Sequence, residues 1–169
     1  IGTDRALAGT KVTDEAWDAG GRYEVGRFGG DRWSEWNGRF RDDVRAFVKG
    51  DRGMVRTMSQ RFLGSPDIYG HKHREPGASI NFVICHDGFT LNDLVSYDTK
   101  HNASNGQANR AGRDQNQSWD CGLAGPTDEP ATASLRRRQQ RNCARHALLP
   151  PRGPHTLVGY VVAPAPRRD

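Results

Sequence analysis

The stretch Ser79–Tyr97, "SINFVICHDGFTLNDLVSY", decides the fold because it joins a buried strand to a helix start through a polar corner. Residues 80–85 are apolar apart from one asparagine, and such a run is typical of a strand that is covered on both faces of a parallel sheet. The run ends at His86 and Asp87. From Thr90 onward the sequence fits a capping box, with aspartate in place of the usual glutamate, and this predicts a helix.

Elements upstream repeat the alternation of strand and helix. Thr10–Glu15 is a candidate strand, residues 20–33 read as a glycine-rich loop, and residues 39–48 and 54–63 have helical periodicity. The apolar positions expected to face the core are Phe40, Val44, Phe47 and Val48 in the first helix, and Val55, Met58, Phe62 and Leu63 in the second. Repeating β/α units predict an α/β protein with a parallel sheet.

The downstream part of the chain is polar and then basic. Residues 98–134 show no period and are rich in asparagine and glycine, so a long functional or disordered loop is expected there. Residues 135–142 are a candidate basic helix. Beyond them the sequence contains several prolines and has no period.

Composition limits the classes of protein to consider. The chain has 169 residues, of which 34% are hydrophobic, so it is long enough for one domain with a core. It lacks a run of about 18 apolar residues, so we expect no membrane span. Three cysteines at unrelated spacings predict neither a disulfide framework nor a zinc site, and they favour a reducing compartment, the cytoplasm or a plastid.

The net charge of +5 suggests a nucleic-acid partner, but its distribution argues against one. Residues 136–169 hold eight arginines and one aspartate, so the remaining residues together carry a small negative charge. A nucleic-acid-binding module would rest on this tail alone and would lack any recognised motif. We therefore expect no nucleic-acid partner.

Two predicted strand ends carry acids, and this is the main signal for chemistry. Functional side chains gather at the carboxyl ends of parallel strands, where the sequence has Glu15 and His86-Asp87. Two carboxylates facing one cleft are the minimum for general-acid chemistry on a glycosidic bond. The alternatives are ordinary ones: an acid at a strand end is often a helix cap or turn residue, and His86 could be a hydrogen-bonded structural histidine.

Metal and phosphate chemistry find little support in the sequence. His71, His73 and His86 lack a further ligand at diagnostic spacing, so no metal site is expected. The glycine-rich stretch lacks the Lys-Ser/Thr ending and the following helix of a phosphate loop. No cofactor is expected.

Four motifs in order carry a resemblance to a known family. They are "EAWDAGGRYEVGRF" (residues 15–28), "WSEWNGRFRDDVRAFVKG" (33–50), "SINFVICHDGFTLNDLVSY" (79–97) and "SWDCG" followed by "GPTD" (118–128). Together they resemble isoamylase-type glycogen debranching enzymes of the alpha-amylase superfamily. The resemblance covers roughly residues 8–142.

The resemblance implies a fold and roles for the acids. The family's catalytic domain is a (β/α)8 TIM barrel, and residues 1–142 look like an incomplete C-terminal half of it, about strands five to seven. Glu15 falls on the general acid and Asp87 on the aspartate that stabilises the transition state, while His86 falls on the histidine that binds sugar hydroxyls. The implied reaction is retaining hydrolysis of α-1,6 branch linkages in glycogen, limit dextrin or amylopectin.

Aromatic side chains near these strand ends are candidate sugar platforms. Trp17 and Phe89 lie beside the acids in sequence, and Tyr23, Phe28 and Trp119 lie in the neighbouring loops. Aromatic faces can stack on glucose rings, yet the same residues could simply pack the loops.

The chain also departs from the family pattern. The resemblance implies that the nucleophile belongs to a strand that would precede Ile1, so the isolated chain is expected to be inactive. A truncated, non-catalytic remnant with weak glucan binding is the alternative. Asp14 stands where the family has a small or apolar residue, and Gly77 where it commonly has tryptophan. Residues 143–169 form a non-homologous basic tail, for which a frameshift near Asn142 is our hypothesis.

Overall fold

A computed structural model describes residues 3–149 except 19, 31, 73, 104, 105, 107 and 111. Its sheet has three parallel strands in the order β1-β2-β3, namely β1 (Val12–Asp14), β2 (Trp33–Trp36) and β3 (Ser79–Ile80). Each strand therefore lies beside its neighbour in sequence. The predicted α/β class with a parallel sheet is confirmed in this small form.

The described residues form four α-helices, three between β2 and β3 in the chain and one after β3. They are α1 (Gly38–Lys49), α2 (Met54–Phe62), α3 (Pro66–Tyr69) and α4 (Pro130–Leu148). The first begins directly after β2, where the Asn37 side chain accepts a hydrogen bond from the backbone N–H of Phe40 at 2.9 Å. It ends at Gly50, whose φ of 94° is the left-handed conformation that glycine adopts most easily.

The main core lies where α1 contacts α2 and α4. Phe40 and Val44 of α1 are fully buried, and Phe47 and Val48 pack at the edge of the same cluster, as the periodicity predicted. The other buried members are Met58, Val83, Ile84, Phe89, Leu94, Cys143 and Ala147. This cluster supports the segment that runs from β3 to Asp87.

The predicted strand over residues 80–85 is wrong in extent. Only Ser79 and Ile80 pair as β3, opposite Glu35 and Trp36 of β2, although residues 81–85 are all buried. Strand β2 ends at Trp36, and the next residue, Asn37, donates its backbone N–H to the Ile80 carbonyl at 2.9 Å and caps α1. The carbonyl of Val83 instead accepts a hydrogen bond from the Arg45 side chain at 2.9 Å.

The helix predicted from Thr90 is also wrong in extent. The Thr90 hydroxyl does accept a hydrogen bond from the backbone N–H of Asp93 at 3.1 Å, as a cap should. However, only the 3-10 turn Asp93–Val95 follows. Ser96 accepts a hydrogen bond from the backbone N–H of Gly125, so the next residues are engaged with the long loop instead of a further helical turn.

The predicted core face of α2 is partly wrong. Met58 is buried, but Val55 and Leu63 are 75% and 66% exposed. Arg61 takes the place expected for an apolar side chain, and its guanidinium pairs with Asp43 at 2.8 Å and Asp67 at 2.5 Å. The two ion pairs compensate for burying this charge. The helix therefore turns a different face to the core from the one that its apolar residues predicted.

Strand β2 was not predicted, because "WSEW" contains no apolar run. Its Glu35 is fully buried, and the carboxylate pairs with buried Arg74 and accepts the backbone N–H of Gly26. A buried carboxylate is tolerated in a central strand only when it is paired and hydrogen-bonded in this way. The pair also joins the loop before β2 to the segment before β3.

Two further observations concern the ends of the described region. Helix α4 starts before the predicted residues 135–142 and runs through Asn142 to Leu148 without interruption. Residues 150–169, most of the predicted tail, lie outside the described residues. Within the described part of the chain, no helix combines the length and the apolar character needed to cross a membrane.

Candidate active site

The ends of two strands bring the predicted site residues together. Glu15 follows β1 directly, and His86 and Asp87 come at the end of the buried segment that β3 begins. The His86 imidazole Nε2 lies 3.8 Å from the Glu15 carboxylate Oε2, and both side chains are partly exposed to solvent. Residues 71 positions apart in sequence thus share one edge of the sheet.

This edge forms the floor of an open cleft of about 1310 Å³. Glu15, Trp17, His86, Asp87 and Phe89, all five predicted site residues, line it. The volume exceeds the roughly 300–1,000 Å³ of sites for small ligands.

Neighbouring side chains contact both carboxylate oxygens of Asp87. Its side chain is 20% exposed, and its carboxylate oxygens lie 3.0 and 3.3 Å from the Arg41 guanidinium Nη1. The Cys85 thiol donates a further hydrogen bond to it. Partial burial alone would raise the pKa of Asp87, but the hydrogen bond from Cys85 and the charge and hydrogen bonds of Arg41 outweigh it and lower the pKa. The carboxylate is therefore ionised at neutral pH.

Aromatic side chains line one wall of the cleft. Trp17 and Tyr23 are stacked with their ring centroids 6.2 Å apart, and a backbone bridge pairs the two residues. Phe89 also reaches the cleft but is only 8% exposed and belongs to the main core. Of the two remaining candidates, Phe28 packs edge-on against Trp33, and Trp119 lies outside the cleft lining.

The long loop of residues 98–129 covers another side of the cleft. It contributes Lys100, His101, Asn102, Arg113 and Asn116 to the lining, and Arg113 reaches Asp42 of α1 at 3.7 Å. The buried Arg45 donates a hydrogen bond to the carbonyl of Asn116 at 3.1 Å. The loop is thus anchored to α1 at residues that also border the acids.

Sequence reasoning missed Arg41 and the loop residues. Arg41 and Arg45 are both almost fully buried, although they stand beside the apolar stripe of α1. Charged residues placed one turn apart next to a buried stripe were the available signal. It could have indicated buried arginines with partners elsewhere in the fold, but it could not identify those partners.

Asp14, which stands where the family has a small or apolar residue, is partly exposed in the structure and not buried under helices. As for metals, the described residues contain no group of three histidine, cysteine or acidic side chains placed to hold an ion. His73, one of the three histidines considered above, lies outside the described residues.

Comparison with known proteins finds relatives whose names agree with one another. The chain is 47% identical over 160 residues to isoamylase 3, chloroplastic, of Oryza sativa subsp. japonica. This match covers 94% of the chain and 20% of that protein. It is 51% identical over 140 residues to the glycogen operon protein GlgX homolog of Mycobacterium tuberculosis, covering 82% and 19% respectively. It is 42% identical over 158 residues to the glycogen debranching enzyme of Serratia proteamaculans, covering 92% and 24%.

A scan against protein-family models found no match. The chain spans about a fifth to a quarter of the length of the curated relatives it matches. Over most of its own length, it is homologous to one segment of isoamylases and glycogen debranching enzymes, as its motifs predicted.

Proposed function

We propose that this chain, a homologue of one segment of isoamylases and glycogen debranching enzymes, forms part of the active site of a hydrolase of α-1,6-glucosidic branch linkages. The substrate is a branched α-glucan such as glycogen, a limit dextrin or amylopectin. The names of the relatives support this substrate class, since they include isoamylase and glycogen debranching enzyme.

One observation carries the proposal. Glu15 and His86 come from the ends of two different strands and lie 3.8 Å apart on the floor of a cleft that Asp87 also lines. Parallel α/β folds gather catalytic groups at this edge of the sheet. We assign β1, β2 and β3 to strands five, six and seven of a (β/α)8 barrel, which the parallel order and the resemblance support.

In this assignment Glu15 is the general acid. It protonates the oxygen of the leaving chain while a carboxylate nucleophile attacks the anomeric carbon, and afterwards it activates the water that releases the sugar. The nucleophile comes from the preceding strand of the barrel. The Glu15 side chain is partly exposed, so it can reach a bond at the surface of a polymer.

Asp87 and His86 hold the sugar ring that reacts. The ionised Asp87 stabilises the positive charge that develops on the ring in the transition state, and such preorganised charge contributes more there than in the ground state. The His86 side chain is 64% exposed, so its imidazole is accessible to a sugar hydroxyl. Trp17 supplies an apolar face for stacking.

The cellular location belongs to the same proposal. One relative named above is chloroplastic and the others are bacterial proteins, so we place this chain in a plastid or in the bacterial cytoplasm. The free, buried cysteines Cys85, Cys121 and Cys143 agree with a reducing compartment.

The test uses a hybrid enzyme, because turnover needs a complete site. Residues 3–142 of this chain replace the matching segment of the Serratia proteamaculans glycogen debranching enzyme. We expect the hybrid to release reducing ends from glycogen. Glu15→Gln should lower kcat by about 10²- to 10⁴-fold, because the amide cannot donate the proton. Glu24→Gln is the matched control, since Glu24 lies on the loop that follows Glu15, and its carboxylate pairs with exposed Arg22.

A second substrate separates acid catalysis from a general loss of structure. On an α-glucosyl fluoride the leaving group needs no protonation, and added azide can release the sugar without a base, so with azide present Glu15→Gln should retain most of its activity. Equal losses on both substrates would contradict the role of Glu15. A correctly folded hybrid that binds glycogen without releasing reducing ends would instead favour the non-catalytic remnant.

A further inference from the structure

Arg41 is held rigidly between two carboxylates at the edge of the cleft. Its Nε and Nη2 donate to Asp42 at 2.7 and 3.3 Å, and its Nη1 donates to both oxygens of Asp87. The guanidinium also lies over the ring of Phe82, 5.6 Å from the ring centre. Its side chain is only 3% exposed, so its contacts with Asp87 are shielded from water.

Cys85 constrains the same carboxylate from the segment after β3. Its thiol donates to Asp87 Oδ1, and its sulfur lies 3.7 Å from Arg41 Nη1. Burial and the hydrogen bond to Asp87 raise the pKa of this thiol to about 11. The sulfur therefore keeps its proton at neutral pH and remains a donor.

These contacts leave Asp87 with one fixed orientation. Arg41 reaches both oxygens, Cys85 occupies Oδ1 as well, and the exposed part of the side chain opens on the cleft. The fork of Nε and Nη2 on Asp42 fixes the plane of the guanidinium, so Nη1 is held at one point between the two oxygens of Asp87; an ammonium group could not make this fork. A free aspartate side chain would have to be oriented in each turnover, at a cost in rate.

We propose that Arg41 and Cys85 are positioning residues for Asp87, holding its carboxylate ionised and in a single orientation toward the substrate sugar. The inference rests on the proposed function in taking Asp87 to contact the sugar. Arg41 acts through Asp87 and not on the substrate. Cys85 acts as a hydrogen-bond donor and not as a nucleophile.

The first experiment needs no turnover. The Asp87 carboxyl is titrated by ¹³C NMR in the full 169-residue chain and in its variants. We expect Arg41→Gln and Cys85→Ala to raise the pKa of Asp87, and Cys85→Ser to restore it, because a hydroxyl can donate in place of the thiol. Arg61→Gln is the matched control: Arg61 is equally buried and also bridges two carboxylates, but these are Asp43 and Asp67.

The second experiment measures catalysis in the hybrid enzyme. Arg41→Gln should lower kcat by about 10- to 100-fold with KM nearly unchanged, because misorientation is felt mainly in the transition state. The acid limb of the kcat profile should move to higher pH. The sign follows from linkage: Arg41 favours the ionised form of Asp87, so without Arg41 the carboxyl takes up its proton at a higher pH. In Arg41→Lys the acid limb should stay near its original pH, whereas kcat should still fall.

The outcomes separate the inference from the proposed function. An Asp87 pKa that stays unchanged in both Arg41→Gln and Cys85→Ala overturns the inference, whether or not the hybrid is active. If the Arg41 variants do not fold, the comparison of Cys85→Ala with Cys85→Ser decides alone. An inactive hybrid in which the pKa of Asp87 still depends on Arg41 would contradict the proposed function and leave the positioning contacts supported.

Discussion

At the residue scale, Asp87 shows why an acid at a strand end is not a generic turn residue here. A turn aspartate would accept hydrogen bonds from nearby backbone N–H groups. Asp87 instead accepts them from a buried arginine on α1 and from the Cys85 thiol. Such a carboxylate is fixed in charge and direction before any ligand arrives, which is the condition for electrostatic catalysis.

The corresponding prediction concerns Asp87→Asn in the hybrid enzyme. The amide keeps the shape but removes the negative charge, so kcat should fall by about 10²- to 10³-fold while KM rises little. Steady-state kinetics on glycogen measures both constants. Asp51→Asn is the control, because Asp51 pairs with Lys49 at the far end of α1. A rise in KM with an unchanged kcat would make Asp87 a ground-state binding residue.

The sequence was sufficient to predict that these side chains lie together but not to find their partners. Glu15, His86 and Asp87 could be grouped because parallel strands end at one edge of a sheet, a rule that needs only the strand pattern. Arg41 could not be paired with Asp87, because 46 residues separate them and only the packing of α1 against the segment after β3 brings them together. Side-chain partners across elements depend on tertiary packing, which local patterns do not encode.

At the element scale, β2 is the strand whose burial depends on a charge pair. Glu35 is 0% exposed in the middle of the sheet, and Arg74 with the N–H of Gly26 satisfies its carboxylate. The sequence pattern did not predict this strand, because a glutamate in sequence indicates a surface position and Glu35 is buried. Helix α1 was predicted well because its apolar stripe does face the core, as its periodicity indicated.

The prediction at this scale is that Glu35→Gln destabilises the folded chain strongly. The amide leaves the buried Arg74 without its counter-charge, and breaking a buried pair by removing one partner costs about 3–5 kcal/mol. Urea unfolding followed by circular dichroism would measure the change. Glu24→Gln, at an exposed acid in the preceding loop, should cost less than about 1 kcal/mol. Similar losses in the two variants would show that the Glu35–Arg74 pair does not hold β2.

At the scale of the whole molecule, the cleft has a floor and parts of its walls. The floor comes from the ends of β1 and β3, and the walls come from Trp17, Tyr23 and the loop of residues 98–129. On the outer sides of β1 and β3 the described residues place no further strand. The chain matches only about a fifth to a quarter of the length of these relatives, so most of their residues have no counterpart in it.

The last prediction follows from this division of the site. The 169-residue chain by itself should release no reducing ends from glycogen, whereas the hybrid enzyme should, because we assign the nucleophile to a strand that precedes β1. The assay compares the two proteins at equal concentration, with the unmodified Serratia enzyme as the positive control. Turnover by the isolated chain would mean that the nucleophile lies within these residues. Asp18 and Asp42 also line the cleft, so Asp18→Asn and Asp42→Asn would then identify it. In the hybrid, Asp18→Asn should leave kcat nearly unchanged, because the host supplies the nucleophile.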